Sequence, residues 1–276
     1  MDEYEKEYFA KLKKIAGDYD SVRRDLAKSR IKRFVAAVVR QINDEHRVFD
    51  LVVVVGNSGR FIFEITKQVY SELGIEIPPV VMLPIFRFKE VDGAMVLNDN
   101  SVLFSLIPTN LPNKAMVLFV DDEIYIGLTV KASLELLLSR NPQLESLHCT
   151  IIAEHHFFEW HYNLPKVSVN FFSYSRLIQG LNGNIGYFIP DDLFEDLKKH
   201  ITDVESYNHA MGIVIGGALK RKNKEGSPFY DTSVNDVCIE RISNYSERKE
   251  ILIKELNDLV KDAIKEYKEG IITFRF

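Results

Sequence analysis

The apolar positions of this chain change period along its length, and the changes divide it into three parts. Val22, Leu26, Phe34, Val35, Val38, Val39 and Ile42 recur at three-to-four spacing, which predicts an amphipathic helix. From Phe49 that period gives way to short continuous apolar runs. Leu51 to Val55 is one such β-branched run, as expected of a parallel strand covered on both faces. A helix through Ile62, Ile65, Val69 and Tyr70 follows it. Further strands are predicted over residues 79–85, 114–120, 149–153 and 167–174. Alternation of this kind predicts an α/β fold: a largely parallel sheet with helices on both faces. Residues 87–113, with Asp92-Gly93 and two short apolar runs, read as a β-hairpin excursion. Thr202 to Glu205 is a capping-box pattern. A last helix puts Leu252, Leu256, Leu259, Val260, Ala263, Ile264 and Tyr267 on its apolar face, ends at Gly270, and leads into a terminal strand. The expected organisation is an N-terminal helical segment over 1–47, an α/β core over 48–200, and an α+β extension over 201–276.

Chemistry concentrates where the 114–120 strand ends. Asp121 and Asp122 follow the apolar run, and a short loop with Gly127 and Thr129 leads into a helix. In open α/β sheets ligands bind at the carboxyl ends of the strands, and a helix N-terminus with a hydroxyl is an anion site. Carboxylates beside such a site suit a sugar phosphate, accepting from ribose hydroxyls while the loop holds the phosphate. A response-regulator receiver also opens with acidic residues after a strand, but it needs a phosphoacceptor Asp at the end of a later one. No Asp occurs between Asp122 and Asp191, which rules that out.

This arrangement resembles the type I phosphoribosyltransferases, whose signature for phosphoribosyl pyrophosphate (PRPP) is an apolar strand, two acidic residues, an apolar pair and a Thr-Gly-x-Thr loop. Asp121 and Asp122 match the acidic pair, Gly127 the loop glycine and Thr129 the second threonine. Ile126 departs from the usual Thr, Ser or Ala, and Tyr125 stands where some purine-salvage members carry a catalytic Asp. The order of elements over about residues 48–195 carries the resemblance further. It implies a phosphoribosyltransferase-type sheet, with Asp121 and Asp122 on the ribose hydroxyls and Tyr125, Ile126, Gly127, Leu128 and Thr129 on the 5′-phosphate. Gly56, Asn57, Ser58, Gly59 and Arg60 form the loop that would take the pyrophosphate with Mg²⁺. Arg87 and Lys89, at the base of the hairpin excursion, would reach the pyrophosphate as catalytic residues. The metal would be carried mainly by PRPP oxygens and water, so no protein metal ligands are expected. The acceptor-recognising hood would come from the region beyond residue 160 or from the N-terminal helices.

Two functions follow from the resemblance. One is binding of PRPP or a nucleotide with Mg²⁺ and transfer of phosphoribosyl to a nitrogenous acceptor, releasing pyrophosphate. The other, to which Ile126 and Tyr125 point, is a degenerate member acting as a regulatory, effector or macromolecular-partner module, as in bacterial antiphage systems. Family members often pair as dimers, so a homo-oligomer or protein partner is expected.

Composition narrows the rest. A net charge of −5 argues against a generally basic nucleic-acid binder. The basic residues of the first helix, Arg23, Arg24, Lys28, Arg30, Lys32, Arg33 and Arg40, leave open a solvated face or one turned to a partner or nucleic acid. Two cysteines are too few for a disulfide scaffold, and no apolar run approaches the roughly 18 residues of a membrane span. The expectation is a cytoplasmic protein without membrane association. Glu154 to His161 packs three histidines and two carboxylates into eight residues at a spacing that matches no helical metal motif. A metal site, part of an active-site rim and a structural cluster all remain open for it.

Overall fold

The computed structural model describes residues 19–83, 88–91, 94–97, 106–124, 127–155, 163–176, 185–201, 204, 206–216 and 241–274. Helix α1 (Tyr19–Val39) continues into a π-helical turn (Arg40–Asp44) and leads to strand β1 (Leu51–Val55), helix α2 (Gly56–Glu72) and strand β2 (Val80–Leu83). Strands β3 (Phe88–Val91) and β4 (Ala94–Leu97) form a separate antiparallel hairpin, as expected for the excursion. Then come β5 (Lys114–Ile124), α3 (Leu128–Arg140), β6 (Ser146–His155) and β7 (Val167–Arg176). A 3₁₀ turn (Ile185–Phe188), α4 (Asp191–His200), α5 (Tyr207–Gly216) and α6 (Tyr245–Lys268) complete the described elements.

Five strands make one sheet in the order β2-β1-β5-β6-β7, and every pairing in it is parallel. Its two faces bury different sides of the same strands. Val52, Val54, Leu118, Val120 and Ile152 face a core shared with α1, α2, α4, α5 and α6. Leu51, Val53, Val117, Phe119 and Ile151 face a second core, closed by α3 and by Ile107 and Leu111. All five residues of β1 are buried, as its unbroken apolar run requires. Layers, strand direction and order of elements are those of the phosphoribosyltransferase-type α/β sheet expected from the sequence. Of the segment expected as a terminal strand, the described residues 271–274 make no ladder. Instead Phe274 packs edge-to-face on Phe172 of β7, ring centroids 5.0 Å apart.

The first helix is more deeply placed than its period predicts. Residues 34–39 are six consecutive buried positions, so the C-terminal half of α1 is enclosed on all sides. Its basic residues meet partners within the chain. Arg23 pairs with Asp191 at 2.7 Å, Arg24 and Lys28 share Glu255 at 2.5 and 2.9 Å, and Lys32 meets Glu266 at 2.5 Å. Arg33 lies over the Phe274 ring, and Arg40 lies over Phe172 while pairing with Glu45. Much of the basic face is therefore engaged within the chain, on α6 and its neighbours. Each such half-exposed pair contributes only ~0–1 kcal/mol. The apolar contacts hold the helices together, and the charges select how they are oriented.

Four tyrosines give this packing a pH limit. Burial pushes Tyr70, Tyr207, Tyr245 and Tyr267 up to about 12, with Asp191 adding to the shift at Tyr207 and Asp44 at Tyr267. An unfolded tyrosine titrates near 10. Because the folded values are raised, their contribution is complete below pH ~10 and is lost as pH rises through about 12. Denaturant midpoints should be level from neutral pH to about 10 and then fall steeply, with the share of tyrosinate absorbance from these four rising together with unfolding. Four tyrosines that ionise near 10 in protein still folded would contradict this.

Candidate functional site

The site is built from the carboxyl ends of β1 and β5 and the helices that leave them. β1 passes into α2 with no intervening loop. Val55 is extended, Gly56 takes a φ of 64°, and the helix begins at Gly56 itself. The segment expected as a pyrophosphate loop, Gly56 to Arg60, is thus the first turn of α2. The correction changes its backbone but keeps its chemistry, because the first N–H groups of a helix have no helical acceptor and favour anions. Gly59 is buried in that turn and faces the ends of β1 and β5. A Cβ there would lie 3.4 Å from Val54 Cγ1, 3.6 Å from the Val120 carbonyl and 3.9 Å from Asp121 Oδ1. The α2 turn therefore lies beside Asp121. Arg60 is half-buried, and desolvation lowers its pKa while Glu64, one turn on, opposes the shift.

β5 runs on through both carboxylates to Ile124, and its register with β6 shifts between Val120 and Glu123. In a regular strand, neighbouring side chains point to opposite faces. Here the irregularity falls on Asp121 and Asp122, and both reach the same helical layer. Asp121 is buried beside Gly59 of α2, and its Oδ1 accepts the Asp122 N–H at 2.9 Å. Asp122 is half-buried, and its Oδ2 accepts a hydrogen bond from Asn208 Nδ2 of α5. A bulge that re-aims side chains at a strand end is a common device beside active sites.

The second helix start at these strand ends is that of α3. Gly127 caps it in the left-handed region, φ 71°, where a side chain would be strained, and its carbonyl accepts the Lys131 N–H. Leu128 and Thr129 form the first turn, and the Thr129 carbonyl accepts from Ser133 Oγ at 2.8 Å. The positions of Tyr125, Ile126 and Arg87, and the side chains of Asn57, Ser58 and Lys89, lie outside the described residues. So does most of the histidine cluster: β6 ends at His155, opposite Ile124 of β5 and Arg176 of β7. Among the described residues, no group of three or more His, Cys, Asp or Glu is arranged to hold a metal ion. No helix among them is long and apolar enough to cross a membrane.

Two residues of the site's surroundings have no counterpart in the sequence motif. Asn208 is 2% exposed, and its Oδ1 finds no donor among the described residues. Gly186 lies so close that a Cβ would fall 2.3 Å from Asn208 N and 2.4 Å from Asn208 Oδ1. A separate cavity of about 690 Å³ opens between the C-terminal ends of α1 and α6, lined among others by Arg40, Asp44, Glu45, Tyr267 and Phe274. None of the strand-end residues lines it.

Fold and site together define a parallel α/β protein with an acidic pair and two helix N-termini at adjoining strand ends. No family model matches the sequence, and no curated protein does. Among solved structures it is similar to a hypothetical protein from Neisseria gonorrhoeae with bound ppGpp, at 16% identity and TM-score 0.36, covering 52% of this chain and 77% of that one. It is also similar to a purine phosphoribosyltransferase from Pyrococcus horikoshii, at 16% identity and TM-score 0.31, covering 51% and 82%. A hypoxanthine phosphoribosyltransferase from Staphylococcus aureus matches at 16% identity and TM-score 0.33, covering 51% and 73%.

Proposed function

We propose that this chain binds a phosphorylated ribose, PRPP or a nucleotide, together with Mg²⁺, across the carboxyl ends of β1 and β5. The observation that carries the reading is the register shift at the end of β5, which leaves Asp121 beside the first turn of α2 and Asp122 bonded to Asn208 of α5, two helices of one layer. Ribose hydroxyls donate to the carboxylates, and the amides of the α2 and α3 first turns take the phosphates. Mg²⁺ would be held mainly by the ligand's own oxygens and water, with the carboxylates nearby compatible with a hard cation, and would neutralise diphosphate charge. Burial of Asp121 against Gly59 strengthens charge-assisted hydrogen bonds there by lowering the local dielectric.

Transfer of phosphoribosyl to a nitrogen acceptor is the extension of this reading, and catalysis would rest on positioning and charge stabilisation. Binding without turnover is the second reading. Ile126 favours it, since that position offers no hydroxyl to a phosphate, and so does Tyr125, which supplies no carboxylate base.

Calorimetric titration with PRPP and Mg²⁺ tests the binding. Wild-type protein is expected to bind, and the Asp121→Asn/Asp122→Asn variant to bind at least about a hundredfold more weakly, the loss of two charge-assisted hydrogen bonds. Equal affinity of the two folded proteins would sink the reading. Pyrophosphate release in the presence of nucleobases then separates an enzyme from a binding module.

A further inference from the structure

The amide of Asn208 is placed where stability alone gives little reason for one. Asn208 sits in α5 among Ala210, Met211, Ile213 and Val214, all buried. An amide enclosed like this, with its carbonyl oxygen unmatched among the described residues, is costly unless its other end does something specific. That other end donates to Asp122 Oδ2. The amide is also held rigidly. Gly186 closes on its backbone and Oδ1 from one side. The preceding Tyr207 is fixed by its hydroxyl on Asp191, 3.1 Å, by stacking on Phe194 at 3.8 Å, and by Arg23 over its ring. The helix start is capped by Ser206 Oγ, which accepts the His209 N–H at 3.2 Å.

We infer that Asn208 is a positioning residue for the sugar site: it fixes the Asp122 carboxylate so that its remaining acceptor capacity meets a ribose hydroxyl. The inference rests on the sugar-phosphate reading above and extends it, making residues 185–216 part of the binding site. Asp122 lies on the bulged end of β5, where the ladder to β6 is interrupted. The Asn208 amide supplies a fixed donor to that side chain. Binding then meets a carboxylate that is already oriented.

The role has a signature that a packing role lacks. Asn208→Leu keeps the branched shape and removes the amide but adds bulk where Gly186 closes on the side chain, so a modest fall in the thermal midpoint is expected and the signature lies in binding. PRPP affinity with Mg²⁺ should fall about tenfold, the equivalent of one hydrogen bond to a charged group. Inorganic pyrophosphate, which has no ribose hydroxyls, should bind wild type and variant alike. Because Asn208 acts through Asp122, the losses should not add: Asp122→Asn, Asn208→Leu and the double variant should each lose about tenfold. Asn208→Ala serves as the second variant should leucine not fold, with the same split between PRPP and pyrophosphate. Undiminished PRPP affinity in a folded variant, or additive losses, would overturn the role of Asn208 while leaving the site standing. Wild-type protein that binds neither PRPP nor a nucleotide at millimolar concentration overturns the sugar-phosphate reading, and this inference with it.

Discussion

Gly186→Val will unseat α5 and take sugar-phosphate binding with it. The built Cβ falls 2.3 Å from Asn208 N, 2.4 Å from its Oδ1 and 2.5 Å from the Tyr207 carbonyl carbon. Two of those three atoms are backbone, so no rotation of a flexible tip relieves the clash. The 3₁₀ turn and α5 must part, and Asn208 leaves Asp122 as they do. Overpacking of this kind costs ~1–3 kcal/mol where side chains can yield; here the main chain must move, and the upper end or beyond is expected. Denaturant midpoints and PRPP titration should therefore fall together. Gly74→Ala is the control, because Gly74 has a φ of 70° with nothing within 4 Å of its Cβ. It should cost about 1 kcal/mol through backbone strain alone and leave binding intact. Gly186→Val protein with wild-type midpoint and affinity would show that the close contact is not held in solution.

Phe34→Ala should be the most damaging truncation in α1, at about 3–5 kcal/mol. Phe34 is 0% exposed and belongs to the core that α1 shares with the sheet, α2 and α6. Removing the ring takes away its burial and leaves a cavity that surrounding helices cannot close. Lys32→Ala, two residues away, breaks the pair with Glu266 and should cost less than about 1 kcal/mol. The contrast decides whether apolar packing or the charged face holds α1 in place. Comparable losses in the two variants would show that the charges matter more than their exposure suggests.

The sheet was legible in the sequence because its strands are continuous β-branched runs, and burial on both faces demands that pattern. Their ends were less so. The expected strand stops at Val120, yet β5 continues to a buried Ile124, because Asp121-Asp122 reads as loop by polarity alone. The acidic pair and Gly127 were found from spacing. What spacing could not show is the register shift that leaves Asp121 beside α2 and Asp122 bonded to Asn208 of α5. Asn208 was missed for a different reason: its signal is one amide in an otherwise apolar helix, and nothing local says which carboxylate it meets 86 residues earlier. The run Ile271 to Phe274 has strand-like residues, but Phe274 finds its partner in an aromatic contact with Phe172 rather than in a ladder. The C-terminal helix declared its apolar face without declaring what that face would cover.

That last helix has a consequence for how the protein is made. The contacts from α1 to α6 join residues 231 and 234 positions apart, Arg24 to Glu255 and Lys32 to Glu266. Closing such long intervals is slow, because loop entropy is lost before the contacts form. During synthesis the first helix emerges from the ribosome with its apolar residues 34–39 and must wait for almost the entire chain before α6 can cover it. The nascent protein therefore spends a long interval with that helix only partly covered, a stage at which a holding chaperone would find its best substrate.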